Sequence, residues 1–188
     1  MKTENHFIKP NFLNAKLEFR VENNIICIYG TAEGLRWFIE QCQALINNPK
    51  KFLYHSHIDR SIPPEVVPRV LTEQSLEAII FIYLPPAKCK DEKSRQSIWK
   101  FLFGTTEKQS VSFDGDLEFR FMEETNKEVH ICGTEKGLHW LITQCDNLIA
   151  SPSLSHIHID PTHDMYRLLT KQSLDASIAI FSSTGQAY

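Results

Sequence analysis

The sequence predicts an α+β fold of two tandem ββαββ repeats, each an antiparallel sheet with one helix on one face. Three observations predict it: the chain contains itself twice, apolar residues alternate where strands should lie, and in each copy one stretch repeats them at helical spacing. Leu17-Glu18-Phe19-Arg20 returns as Leu117-Glu118-Phe119-Arg120. Gly30-Thr31-Ala32-Glu33-Gly34-Leu35 returns as Gly133-Thr134-Glu135-Lys136-Gly137-Leu138, and Gln41-Cys42 as Gln144-Cys145. His55-Ser56-His57-Ile58-Asp59 returns as His156-Ile157-His158-Ile159-Asp160, and Leu71-Thr72-Glu73-Gln74-Ser75-Leu76 as Leu169-Thr170-Lys171-Gln172-Ser173-Leu174. The blocks keep one order. They divide the chain into an N-terminal arm (1–14), a first unit (15–83), a connector (84–114) and a second unit (115–183).

Within each unit the elements follow in turn. Leu17, Phe19 and Val21 alternate with Lys16, Glu18 and Arg20, the period of a half-buried strand. Asn23-Asn24 is a turn signal before the β-branched run Ile25 to Tyr29, so the first two strands form a hairpin. Thr31 is placed to cap a helix, with Glu33 in its first turn near the positive end of the dipole. Leu35, Phe38, Ile39, Cys42, Leu45 and Ile46 then make one apolar stripe, matched by Leu138 to Ile149 in the second copy. Gly34 and Gly137, in the first helical turn, let the helix approach the sheet closely. Pro49 and Pro152 stop the helices. His-x-His-x-Asp forms the third strand, and Leu76 to Tyr83 or Leu174 to Phe181 the fourth. The aromatic run in the connector, Trp99 to Phe103, is expected to pack on one or both units.

Composition narrows the function. With 42% hydrophobic and 23% charged residues the chain is an ordinary globular protein. Its net charge of -3 and pI near 6.2 exclude the basic footprint of a nucleic-acid binder. No run is long and apolar enough to span a membrane. Five cysteines, an odd number with no Cys-x-x-Cys pair, argue against a disulfide scaffold or zinc module and for a reducing cytoplasm. Charge is uneven: the first unit carries seven Lys/Arg against eight Asp/Glu, the second five against ten. An acidic face toward a basic partner is one reading of this, drift after duplication another.

Candidate functional residues cluster on the third strands. His55, His57 and Asp59 share one side of their strand, and His156, His158 and Asp160 share one side of theirs. The apolar side belongs under the helix, so the histidines lie on the opposite face with Glu18, Arg20, Glu118 and Arg120. Three roles fit such a patch. It can contact a protein partner; it can hold a divalent metal, because imidazoles and a carboxylate suit zinc; or the histidines can simply bond neighbouring strands or pack between units. The motif resembles part of the His-x-His-x-Asp-His core of metallo-β-lactamase-type hydrolases, but Arg60 and Pro161 stand where that core has its last histidine. Cys42 and Cys145 lie on the apolar stripes as core thiols, Ser75 and Ser173 lack a Gly-x-Ser-x-Gly elbow, and the glycine loops lack the Lys-Ser/Thr of a phosphate loop. No catalytic set assembles and no cofactor is implied.

Gly30 to Leu35 opening a single helix, followed by His55 to Asp59, resembles the immunity protein 32 family of bacterial polymorphic toxin systems. Gly133 to Leu138 with His156 to Asp160 repeats the resemblance. The chain departs from that pattern in carrying two units. The resemblance implies a non-enzymatic, cytoplasmic protein that neutralises a cognate toxin by direct binding, through the histidine-bearing faces or the cleft between units. A metal-dependent enzyme or metal-binding protein using both His-x-His-x-Asp strands is the alternative, and a structural or assembly module a third. A single unit has a marginal core, so fusing two copies makes their pairing intramolecular, giving a monomer with pseudo-twofold repeats or a weak homodimer.

Overall fold

The structure is a computed structural model and describes residues 16–59, 70–83, 115–123, 127–160 and 168–182. The arm, the connector with its aromatic run, Arg60 and Pro161 lie outside the described residues. The first repeat comprises β1 (Leu17–Glu22), β2 (Ile25–Thr31), α1 (Ala32–Asn47), β3 (His55–Ile58) and β4 (Glu77–Ile82). The second comprises β5 (Leu117–Met122), β6 (Glu128–Gly133), α2 (Glu135–Ala150), β7 (His156–Ile159) and β8 (Asp175–Phe181). The α+β class and the repeated ββαββ pattern are as the sequence indicates.

Local chemistry explains the elements. Asn23 and Asn24 have φ of 50° and 66°, the left-handed pair that a two-residue hairpin turn requires, and they close β1 on β2. The Thr31 hydroxyl accepts from the Gly34 N–H at 3.1 Å, and Thr134 accepts from Gly137 at 3.2 Å, capping both helices. A Cβ on Gly34 would stand 1.8 Å from the Lys16 carbonyl oxygen, and one on Gly137 1.8 Å from that of Asp116. These glycines let each helix start rest on the backbone just before β1 or β5. Each carbonyl also accepts from the cap threonine's N–H, at 2.9 and 2.8 Å.

The strands are shared between repeats. One sheet has the order β1-β2-β8-β7 and the other β5-β6-β4-β3. The outer pairs are antiparallel, while β2 runs parallel to β8 and β4 parallel to β6. Each sheet thus takes one hairpin from each repeat and has a parallel centre, in place of one antiparallel sheet per repeat. Residues 70–76 show why. They run along the outer edge of β1: the Val70 carbonyl accepts from Lys16 and Leu17, Thr72 donates to Leu17, and Leu76 donates to Phe19. The Ser75 hydroxyl takes the remaining Phe19 N–H at 2.9 Å. The chain then enters the other sheet as β4, and residues 168–174 repeat the route along β5. With β1 covered on that side, the open edge of β2 receives β8. β4 is apolar on both faces: Ala78, Ile80 and Ile82 join the main core and Ile79 and Phe81 are buried on the other side, as suits a central parallel strand.

The inner faces of both sheets and the stripes of both helices merge into one core. The helices pack on each other, and each touches strands of both sheets. Every fully buried Leu, Ile or Phe there contributes about 1.5–3 kcal/mol. Cys42 and Cys145 are core thiols as expected; burial pushes both up, Cys145 to about 12, so neither is a nucleophile at neutral pH. Among the described residues no helix is long and apolar enough to cross a membrane.

Candidate functional site

Alternation along β3 and β7 puts their histidines on the sheet faces away from the helices, at sheet edges. Register decides their company. Across the second sheet run the rows His57, Ile79, His130, Arg120 and His55, Phe81, Cys132, Glu118. Across the first run His158, Ser177, Cys27, Arg20 and His156, Ala179, Tyr29, Glu18. Strand exchange therefore brings the first copy's histidines onto one face with the second copy's Glu118 and Arg120, and the reverse for Glu18 and Arg20. A face that combines one unit's histidines with the same unit's Glu and Arg, as expected from the sequence, does not form. The two His-x-His-x-Asp segments edge different sheets and do not converge on one centre.

Exposure separates the ten residues further. His57, His156 and His158 are exposed, while His55, Asp59, Asp160, Arg20 and Arg120 are half-buried. Glu18 and Glu118 share the histidines' face of the sheet as expected but are buried there, 1% and 2% exposed. Glu18 accepts from Arg20 Nε and from the Thr72 hydroxyl, and Glu118 accepts from Arg120 Nε. These carboxylates hold arginines in place. Arg20 in turn lies over the Tyr29 ring at 5.5 Å.

The histidine pairs share a geometry. His55 and His57 have ring centroids 4.9 Å apart at 77°, and His156 and His158 4.8 Å apart at 87°. In each copy a local oxygen meets Nδ1 of the first ring: the Leu53 carbonyl 3.0 Å from His55, and the Ser155 hydroxyl 2.9 Å from His156. The His55 ring also tilts against Phe81 at 5.8 Å. Among the described residues no group of three His, Cys, Asp or Glu side chains gathers around one point. Cys132 beneath the patch is pushed up to about 12 by burial.

Three further residues belong to this region. His130 is buried beside Phe81, with Nε2 3.4 Å from Glu128 and Nδ1 without a hydrogen-bond partner. Burial lowers its pKa, and the Glu128 carboxylate opposes that only in part. Repetition could not flag it, because Cys27 holds its place in the first copy; the period-2 pattern Glu128, His130, Cys132 is the signal that could. Leu53 and Leu154, 70% and 53% exposed, precede the histidine strands in both copies. Their position just outside a strand hid them from pattern reading. Each edge thus presents an apolar side chain and hydrogen-bonding imidazoles, a composition suited to macromolecular contact.

Comparison with known proteins agrees with the duplication. The family model for Immunity protein 32 matches residues 26–82 and 128–181, one stretch per repeat and together more than half of the chain. No curated protein matches. No solved structure matches. Two matches in register with two ββαββ repeats lead to one conclusion: the chain belongs to the Immunity protein 32 family, as a tandem duplicate.

Proposed function

We propose that this protein is a non-enzymatic, cytoplasmic immunity protein that neutralises a cognate bacterial toxin by binding it directly. The observation that carries this reading is the family match in both repeats. Contact is made at the sheet edges, where Leu53 with His57 and Leu154 with His156 and His158 are exposed. His55, Asp59 and Asp160 flank these positions, and the pairs of buried Glu18 with Arg20 and buried Glu118 with Arg120 set the shape of the faces behind them. Neither nucleic acid nor membrane is a partner, and the chain acts as a pseudo-twofold monomer. The test is coexpression with the toxin encoded beside it. Growth rescue and co-purification are expected, and Leu154→Ser with His156→Ala and His158→Ala should weaken both while the variant stays folded. A toxin that neither binds the purified protein at micromolar concentration nor is silenced by it contradicts the reading.

A further inference from the structure

We infer that His156 and His158 form a two-ligand chelating site for a borderline divalent cation of the first transition row, such as Ni²⁺, Cu²⁺ or Zn²⁺. Both rings are exposed and project from the same face of β7, two residues apart. Their spacing is compatible with one shared ion. An ion bound at about 2.0–2.1 Å by an imidazole nitrogen lies roughly 3.2 Å from the ring centroid. Two rings on one ion at ligand–metal–ligand angles near 90–110° then stand about 4.5–5.2 Å apart. The observed 4.8 Å falls inside that window. The Ser155 hydroxyl, 2.9 Å from His156 Nδ1, can accept from Nδ1–H, and in that tautomer Nε2 is the free donor to the ion. Imidazole donors select these metals over Mg²⁺ or Ca²⁺. Among the described residues no third donor closes the site, so coordination positions stay open to water or to a donor from another molecule. The first copy's pair has nearly the same spacing, 4.9 Å, but its His55 ring is half-buried and tilted on Phe81. It is therefore the poorer chelator.

The inference stands apart from toxin binding and is tested on the full chain alone. Isothermal titration with Ni²⁺, and separately with Zn²⁺, should show saturable binding near neutral pH. His156→Gln and His158→Gln should each weaken it by roughly tenfold or more. The double variant His55→Gln with His57→Gln should retain it, and circular dichroism should report every variant folded. Absence of saturable binding overturns the inference. So does binding unchanged in His158→Gln, or binding lost only with His55 and His57.

Discussion

His130 shows how a single side chain can tie this fold to pH. Its ring is buried on β6 with Nδ1 unpaired, and burial holds its pKa below the ordinary 6.5. The unfolded chain therefore takes up a proton that the folded chain refuses. The stabilisation is complete above about pH 6.5, falls as the pH drops through that value and levels off below the folded pKa. Each unit of depression is worth about 1.4 kcal/mol. The expected result is a lower urea midpoint at about pH 5.5 than at about pH 7.5, with the difference reduced in His130→Cys, which installs the residue found at the matching place in the first copy. An unchanged difference would refute this role. At this scale the sequence was only partly legible. His57, His156 and His158 are exposed as alternation implied. Glu18 and Glu118 alternate the same way yet are buried; their arginine partners two residues on were in plain sight, but the Thr72 hydroxyl that Glu18 also accepts from lies 54 residues away, beyond any local pattern.

The helix starts raise a contest between propensity and space. Replacing Gly34 by Ala gains about 1 kcal/mol of helix propensity. The added methyl, however, would meet the Lys16 carbonyl at 1.8 Å, and that atom belongs to backbone tied down by the Thr31 N–H. Overpacking against such a wall costs about 1–3 kcal/mol and occasionally more. Gly34→Ala and Gly137→Ala are therefore expected to lower stability by about 1–2 kcal/mol net, while the exposed Arg36→Ala changes little; denaturant midpoints decide. A neutral or stabilised Gly34→Ala would mean that the helix sits farther from β1. Helices, caps and hairpins were readable because their signals are local: a hydroxyl three residues before its donor, two asparagines in a turn, a stripe of period 3.6. Strand partnership was not. Alternation says which face of a strand is buried and nothing about which strand lies beside it. The run from Ala78 to Ile82, apolar on both faces, was the available sign of a central strand with parallel neighbours.

At the scale of the whole molecule, strand exchange makes two repeats into one cooperative body. Neither repeat keeps a sheet of its own, and the main core takes residues from both. Unfolding followed by far-ultraviolet circular dichroism and by tryptophan fluorescence, with Trp99 replaced by Phe so that Trp37 and Trp140 report, should give coincident single transitions. Two separable transitions would contradict a shared core. The duplication itself was legible in the sequence, since matched blocks reveal repetition directly. Its interlocking was not, because it depends on residues 70–76 and 168–174 leaving one sheet for the other. That route also sets a timetable for biosynthesis. β2 emerges early from the ribosome, yet its parallel neighbour β8 ends at Phe181. A nascent chain must leave that edge of β2 open until nearly all of the described residues have been translated, so the first sheet cannot be completed by stepwise folding of one repeat.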